Sequence, residues 1–274
     1  MTRVAVLQMC STPDQAENLR DARTLLKQAG EQGALMGFLP ENFSFMGHKE
    51  RDRLDVAETD GDGPVQQWLA EQAATLGMWI VAGTVPLKND AGLPAASSLV
   101  FDDRGQRVAR YDKIHLFDVA VSGQDGERLY RESSSTLAGN QVVLVDTPCG
   151  RLGLSVCYDV RFPELYRAMV DRGAELFSVP SAFTVPTGRA HWEVLLRARA
   201  IENQAFVLAP AQAGKHLGGR DTWGDSMIVD PWGNVMARRK TGVGLLMVDL
   251  DREAQLEMRT KFPSLGHRKL KIVM

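Results

Sequence analysis

Three side chains in this sequence have types and positions suited to chemistry. Cys157 follows an apolar run, LGLSV at 152–156, and precedes Tyr158, Asp159 and a Phe-Pro-Glu-Leu that reads as a helix start. A thiol must become a thiolate to attack carbon, and a nearby helix N-terminus favours that charge. The backbone N–H groups just beyond could hold an oxyanion. The plain alternative is a buried cysteine that only fills space. Glu41, in GFLPENFSF, ends a second apolar run, where open α/β sheets gather ligands. Phe38, Phe43 and Phe45 around it would make a poorly solvated carboxylate, suited to act as a base. Its plain alternative is a glutamate in the first turn of a helix after Pro40. Lys113, in RYDKIHLFD, follows a strand ending at Tyr111 and offers a fixed positive charge for an oxyanion. Standing alone it reads first as a solvated loop lysine.

Other partners for a thiol are His115 and His191, which would make a Cys–His hydrolase. No His-x-x-His or Cys-x-x-Cys pair suggests a metal site. The glycines of AGKHLGGRDTWG (213–224) match neither a P-loop nor a dinucleotide fingerprint, and this stretch reads as a mobile loop.

The elements that must position these residues follow from apolar periodicity. Segments 4–9, 35–39 and 79–84 read as strands. Between them lie a helix over 14–32, with apolar Ala16, Leu19, Ala22, Leu25, Leu26 and Ala29, and a helix over 65–76 opened by Pro64. Hairpins then appear: 98–101 with 107–111, 142–146 with 152–156, and 228–230 with 235–238, each joined by turn residues. Helices at 162–172 and 190–203 and strands at 176–179, 206–210 and 244–249 complete the pattern. Strand–helix–strand units ask for parallel strands, and hairpins widen a sheet without adding helices. With many more strands than helices, the expected fold is a four-layer α-β-β-α sandwich of the α/β class, one domain over 1–274.

Composition narrows the function. A net charge of −2 gives no basic field for nucleic acid or an anionic membrane. No apolar run approaches the ~20 residues of a membrane span. The opening MTRVAVLQMCSTPDQ alternates like a strand and has no small-residue cleavage site, so no signal peptide is expected. Three cysteines, an odd and sparse set, argue against a disulfide scaffold and for a reducing, cytoplasmic setting.

Taken in order, LPEN at Glu41, YDKIHLFD at Lys113 and SVCYDVRFPEL at Cys157 resemble the nitrilase superfamily of carbon–nitrogen hydrolases. SAFTVPTGRAHWEVLLRARAIENQAFVLAPAQ and DPWGNV extend the likeness over nearly the whole chain. The resemblance implies the same α-β-β-α fold. It implies Cys157 as nucleophile, Glu41 as general base and Lys113 as oxyanion donor, aided by the Tyr158 backbone N–H. A supporting second glutamate matches Glu132 in YRESSST, after a segment (119–128) that reads as a loop. It also implies no metal or organic cofactor, and a homodimer paired through helices near the elbow. Within the superfamily the chain looks most like the branch acting on deaminated glutathione, through ENFSFMGHKERDRLDVAETDGDGP, HWEVLLRARAIENQ and FPSLGHRK. The neighbouring ω-amidase branch, which acts on 2-oxoglutaramate, shares the cysteine motif. Both take small-molecule amides next to a 2-oxo acid carboxylate. That implies Arg161 on the carboxylate, with Phe183 and Thr187 lining the pocket. The planar guanidinium fork suits bidentate contact. The plain alternative pairs Arg161 with Glu164 one turn on. A binding protein on an inactive scaffold is the reading outside enzymology.

Overall fold

The computed structural model describes residues 1–90, 92–123 and 126–270. The chain begins with β1 (Thr2–Gln8), α1 (Gln15–Glu31), β2 (Met36–Phe38), α2 (Pro64–Leu76), β3 (Trp79–Leu87), β4 (Ala95–Phe101) and β5 (Arg107–Asp112). A hairpin of β6 (Asp118–Gly123) and β7 (Gly126–Arg131) follows. Next come β8 (Leu144–Thr147), β9 (Gly150–Leu154), α3 (Pro163–Asp171), β10 (Leu176–Ser178), α4 (Val185–Asn203) and β11 (Phe206–Ala209). The chain then forms β12 (Ala213–Lys215), β13 (Asp221–Trp223), β14 (Ser226–Val229), β15 (Val235–Arg239), β16 (Gly244–Leu250) and α5 (Arg252–Lys261).

Two six-stranded sheets form the centre, in the orders β16-β1-β2-β3-β4-β5 and β15-β14-β11-β10-β9-β8. In the first, β1, β2 and β3 are parallel; in the second, β9, β10 and β11 are parallel. Hairpin partners add the antiparallel strands at the flanks. Strand β1 shows how the layers arise. Val4 and Val6 face the second sheet and pack with Leu152 and Leu154, while Ala5 and Leu7 face α1 and α2 and pack with Leu26 and Leu69. A strand covered on both faces has no polar side, which is why it reads as a continuous apolar run. A one-residue slip would exchange the two sets, and each buried branched side chain contributes about 1.5–3 kcal/mol, so the register is firmly set. On the far face of the second sheet, Leu165, Tyr166 and Met169 of α3 and Trp192 and Leu196 of α4 join its core. The four layers are those expected from the sequence.

Helix starts follow local chemistry. Asp14 caps α1 by accepting the Glu17 backbone N–H at 3.0 Å. Pro64 opens α2, and Gly77 ends it in the left-handed region at φ 57°.

The structure departs from the sequence reading in four places. Segment 119–128, read as a loop, belongs to the β6–β7 hairpin, although Gln124 and Asp125 lie outside the described residues. β7 is exposed along nearly its whole length, so it carries no alternation to betray it. Segment 213–224, read as a mobile loop, is the β12–β13 hairpin. Helix α4 begins at Val185, not at 190, with Pro186 in its first turn. Helix α5 was not anticipated; its one buried residue is Gln255, so it has no apolar stripe to show. No described helix is long and apolar enough to cross a membrane.

Candidate active site

The sheets bring together three loops that leave the C-terminal ends of β2, β5 and β9. Beyond β9 the chain makes a tight turn, with Cys157–Arg161 wound as a 3-10 segment. Cys157 itself sits in the left-handed region at φ 51°, a conformation that costs an L-residue roughly 1–2 kcal/mol. Several bonds hold it there. The Cys157 N–H donates to the Pro180 carbonyl at 2.9 Å. The buried Asp159 carboxylate accepts from the Val156 N–H at 2.8 Å, the Tyr111 hydroxyl at 2.7 Å and the His115 backbone N–H at 3.1 Å. The N–H groups that open a helical turn have no partner within it, so that of Tyr158 is available to an oxygen near the sulfur.

Lys113 lies between two carboxylates. Its Nζ is 2.9 Å from Glu41 Oε1, and 3.1 and 2.9 Å from the two oxygens of Glu132. All three side chains are buried: 2% exposed for Lys113, 6% for Glu41 and 8% for Glu132. Charges this deep persist only when each is paired and hydrogen-bonded. Glu132 meets that demand through Lys113, through Arg53 Nη1 at 3.6 Å and through the Phe117 N–H at 2.7 Å. Burial pushes its carboxyl up, but these cationic neighbours and the N–H outweigh burial and hold it at about 2. For Lys113 burial favours the neutral amine; Glu132 and Glu41 outweigh it and keep the ammonium.

Cys157 experiences the opposite balance. Burial, and then the negative charge of Glu41, push its thiol well above the usual range, and the pull of Lys113 and of the Ala182 N–H does not compensate. The resting sulfur therefore carries its proton, with the negative charge of Glu41 nearby. A thiol, a carboxylate base in the same cavity and a buried ammonium bonded to that base can carry out acyl transfer without a preformed thiolate.

These groups open into a cavity whose lining also includes Glu132, Tyr158, Phe183 and Thr187. Arg161 is not part of that lining. Its guanidinium stands 5.2 Å from the Phe183 ring centre and 5.6 Å from that of Tyr158, and Nη1 is 3.2 Å from His191 Nδ1. The ion pair with Glu164 does not form among the described residues. Instead, Arg161 borders two rings of the cavity wall.

The family model for carbon–nitrogen hydrolases matches residues 3–259. The chain belongs to the carbon–nitrogen hydrolase family. It is 43% identical over 268 residues to a deaminated glutathione amidase of Yersinia enterocolitica, an alignment covering 97% of this chain and 92% of that one. To the enzyme of that name from Synechocystis it is 42% identical over 268 residues, covering 96% and 97%. Its fold is similar to the crystal structure of the C. elegans NitFhit protein, with a TM-score of 0.91 and 41% identity. That match covers 98% of this chain and 65% of that longer one.

Neither histidine of the competing reading lines the cavity of this carbon–nitrogen hydrolase. His115 is held at 2.7 Å by Asp159 and stacked on Phe162, with ring centres 3.7 Å apart, while His191 contacts Arg161. Sequence reading missed Glu50, Arg53 and Arg220, all of which line the cavity. Arg53 donates to Glu50 at 2.7 Å and to the Thr136 hydroxyl at 2.6 Å; Arg220 reaches the other Glu50 oxygen at 3.3 Å. They sit on a short 3-10 segment (Glu50–Leu54) and on the turn between β12 and β13, where no periodic signal marks them. Among the described residues no cluster of three or more His, Cys, Asp or Glu side chains could hold a metal.

Proposed function

We propose that this carbon–nitrogen hydrolase cleaves the amide of deaminated glutathione, yielding 2-oxoglutarate and cysteinylglycine through a thioester on Cys157. The observation that carries the reading is the buried array in which Glu41 is 2.9 Å from the Lys113 ammonium and lines one cavity with it and the Cys157 thiol. The choice of substrate is supported by the names of the full-length relatives.

In this reading Glu41 takes the proton as Cys157 Sγ bonds to the amide carbon. The carbonyl electron pair moves onto oxygen, where Lys113 Nζ and the Tyr158 N–H hold it. The oxyanion collapses, the C–N bond breaks, and Glu41 passes its proton to the departing nitrogen. Water then attacks the thioester, its proton going to Glu41 and on to the returning thiol. Glu132 keeps Lys113 charged and in place throughout. To hold the 2-oxo acid carboxylate, Arg161 swings inward from its place over the Phe183 and Tyr158 rings, with Phe183 and Thr187 shaping the pocket. No metal or organic cofactor enters the scheme.

The same reading treats 1–274 as one hydrolase domain in a reducing cytoplasm, supported by three unpaired cysteines. It also pairs two copies through α3 and α4. Val194 and Ile201, seven residues apart on α4, are 68% and 50% exposed, which supports that face as an interface.

The test is a substrate panel: deaminated glutathione, 2-oxoglutaramate and an uncharged aliphatic amide, with products identified. Wild type should prefer deaminated glutathione and release cysteinylglycine. A charged bidentate contact is worth about 1.5–3 kcal/mol, so Arg161→Lys should lower kcat/KM on the 2-oxo acid amides roughly tenfold to a hundredfold and leave the uncharged amide alone. Preference for the uncharged amide would refute the substrate, and equal losses on all three would make Arg161 structural.

A further inference from the structure

The catalytic cavity adjoins a second compartment, and the two share Asn42, Glu50, Arg53 and Arg220. The outer compartment adds Lys49 and Arg128 to its wall. Four permanent cations, Lys49, Arg53, Arg128 and Arg220, thus face a single carboxylate of its lining, Glu50. Glu50 is already bonded to Arg53 and Arg220, so Lys49 and Arg128 bring positive charge with no acid to match it in the lining. The Nε of Arg220 is buried and has no hydrogen-bond partner among the described residues. Such groups are rare in folded proteins and ask for an occupant.

The wall is a built one. The turn of the β12–β13 hairpin presses on the loop before Lys49: a Cβ on Gly218 would lie 2.7 Å from His48 Cα. Only glycine permits that approach, and it brings Arg220 against Glu50. Another opening runs past Thr184 and is lined by Glu127, Arg128, Arg189 and Asp221, where acids and bases balance. Arg128 borders both openings, and of the two the compartment behind Arg220 is the one with an excess of positive charge in its lining.

We propose that this basic compartment is the subsite for the leaving half of the substrate and that Lys49, Arg128 and Arg220 read a terminal carboxylate there. The inference rests on the proposed function, because the peptide leaving group carries that carboxylate and an ammonia-releasing amide does not. It also accounts for release. In the intact amide the leaving half bears one negative charge. After cleavage its nitrogen is an amine with an ordinary pKa of about 7.7–8.0, so it takes up a proton and the product becomes a zwitterion. The attraction that draws the substrate in then weakens for the product.

The experiment compares two peptide amides of the same 2-oxo acid, one ending in a free carboxylate and one in a carboxamide, with 2-oxoglutaramate alongside. The readout is the ratio of kcat/KM for acid over carboxamide. Wild type should favour the acid roughly tenfold at low salt, and the preference should shrink as salt rises. In the double variant Lys49→Gln, Arg128→Gln, both exposed positions, the ratio should fall several-fold toward unity. Arg220→Lys, which keeps the charge but loses the fork, should fall between. A wild-type ratio of about one, or a ratio unchanged in the double variant, overturns the subsite. So does an equal loss on 2-oxoglutaramate, which would assign the compartment to the acyl carboxylate. If wild type cleaves 2-oxoglutaramate but neither peptide amide, the proposed function itself fails and the subsite with it, an outcome distinct from a flat ratio.

Discussion

Tyr111 donates its hydroxyl hydrogen to Asp159 across 2.7 Å, and so ties the strand end that carries Lys113 to the elbow that carries Cys157. Each member of the pair sits two residues from a reactive group, and the two come from different sheets. A bond that touches neither group thus braces the strand end of the ammonium against the elbow of the sulfur. Desolvation and the charge of Asp159 hold the Tyr111 hydroxyl proton firmly.

Tyr111→Phe should test that brace. It leaves a buried carboxylate short of one donor, a loss of about 1.5–3 kcal/mol for a hydrogen bond to a charged group. Urea unfolding should record that loss, and kcat should fall with little change in KM, because the bond sets distances among reacting groups. A full stability loss with wild-type kcat would mean that the bond only holds the sheets together.

Cys157→Ala should abolish turnover while the protein still folds, and Cys10→Ala and Cys149→Ala should stay active. If either of those two proves essential, the nucleophile has been misassigned. Cys157→Gly adds a structural check. At φ 51° a glycine is free of the strain an alanine suffers, so the Gly variant should be more stable than the Ala variant by about 1 kcal/mol. Equal unfolding midpoints would show that the elbow relaxes once the sulfur is gone.

Glu132 makes stability depend on acid in a defined direction. Its carboxyl is held at about 2 in the fold against an ordinary 4.5, so its contribution is complete above pH 4.5 and is lost as the pH falls toward 2. The stability gap between wild type and Glu132→Gln should therefore narrow by about 2 kcal/mol between pH 6 and pH 3. Denaturant titrations of both proteins across that range measure it. A constant gap would mean that Glu132 is not ionised in the fold. The variant should also lose activity at neutral pH, since Lys113 keeps only one of its two carboxylates.

Much of this was legible in the sequence. Strands buried on both faces announce themselves as apolar runs, and Cys157 and Glu41 stand just past the ends of such runs, whereas Lys113 follows the half-exposed β5. The hairpin β6–β7 and helix α5 were not legible, because neither buries a periodic apolar face. Arg53 and Arg220 were hidden for a different reason. Their placement depends on contacts across long stretches of chain, Arg53 with Thr136 and Arg220 with Glu50, which no local pattern encodes. Arg161 shows the converse: four residues past the thiol looks close along the chain, yet the turn sends the side chain over Phe183 and outside the cavity lining.

The partner of β1 on one side is β2, and on the other it is β16, paired from Thr2 with Leu250 to Gln8 with Gly244. During synthesis β1 leaves the ribosome long before β16. Until then one edge of an apolar strand has its hydrogen-bonding groups unmet, a template for pairing with the wrong chain. The charge at Arg3, which later pairs with Asp249, sits on that waiting edge and makes it a poorer target for a neighbour's strand. The fold thus places a long delay on the strand that lies next to the edge of its first sheet. A nascent chain stalled before residue 244 should depend on chaperones in a way that the finished protein does not.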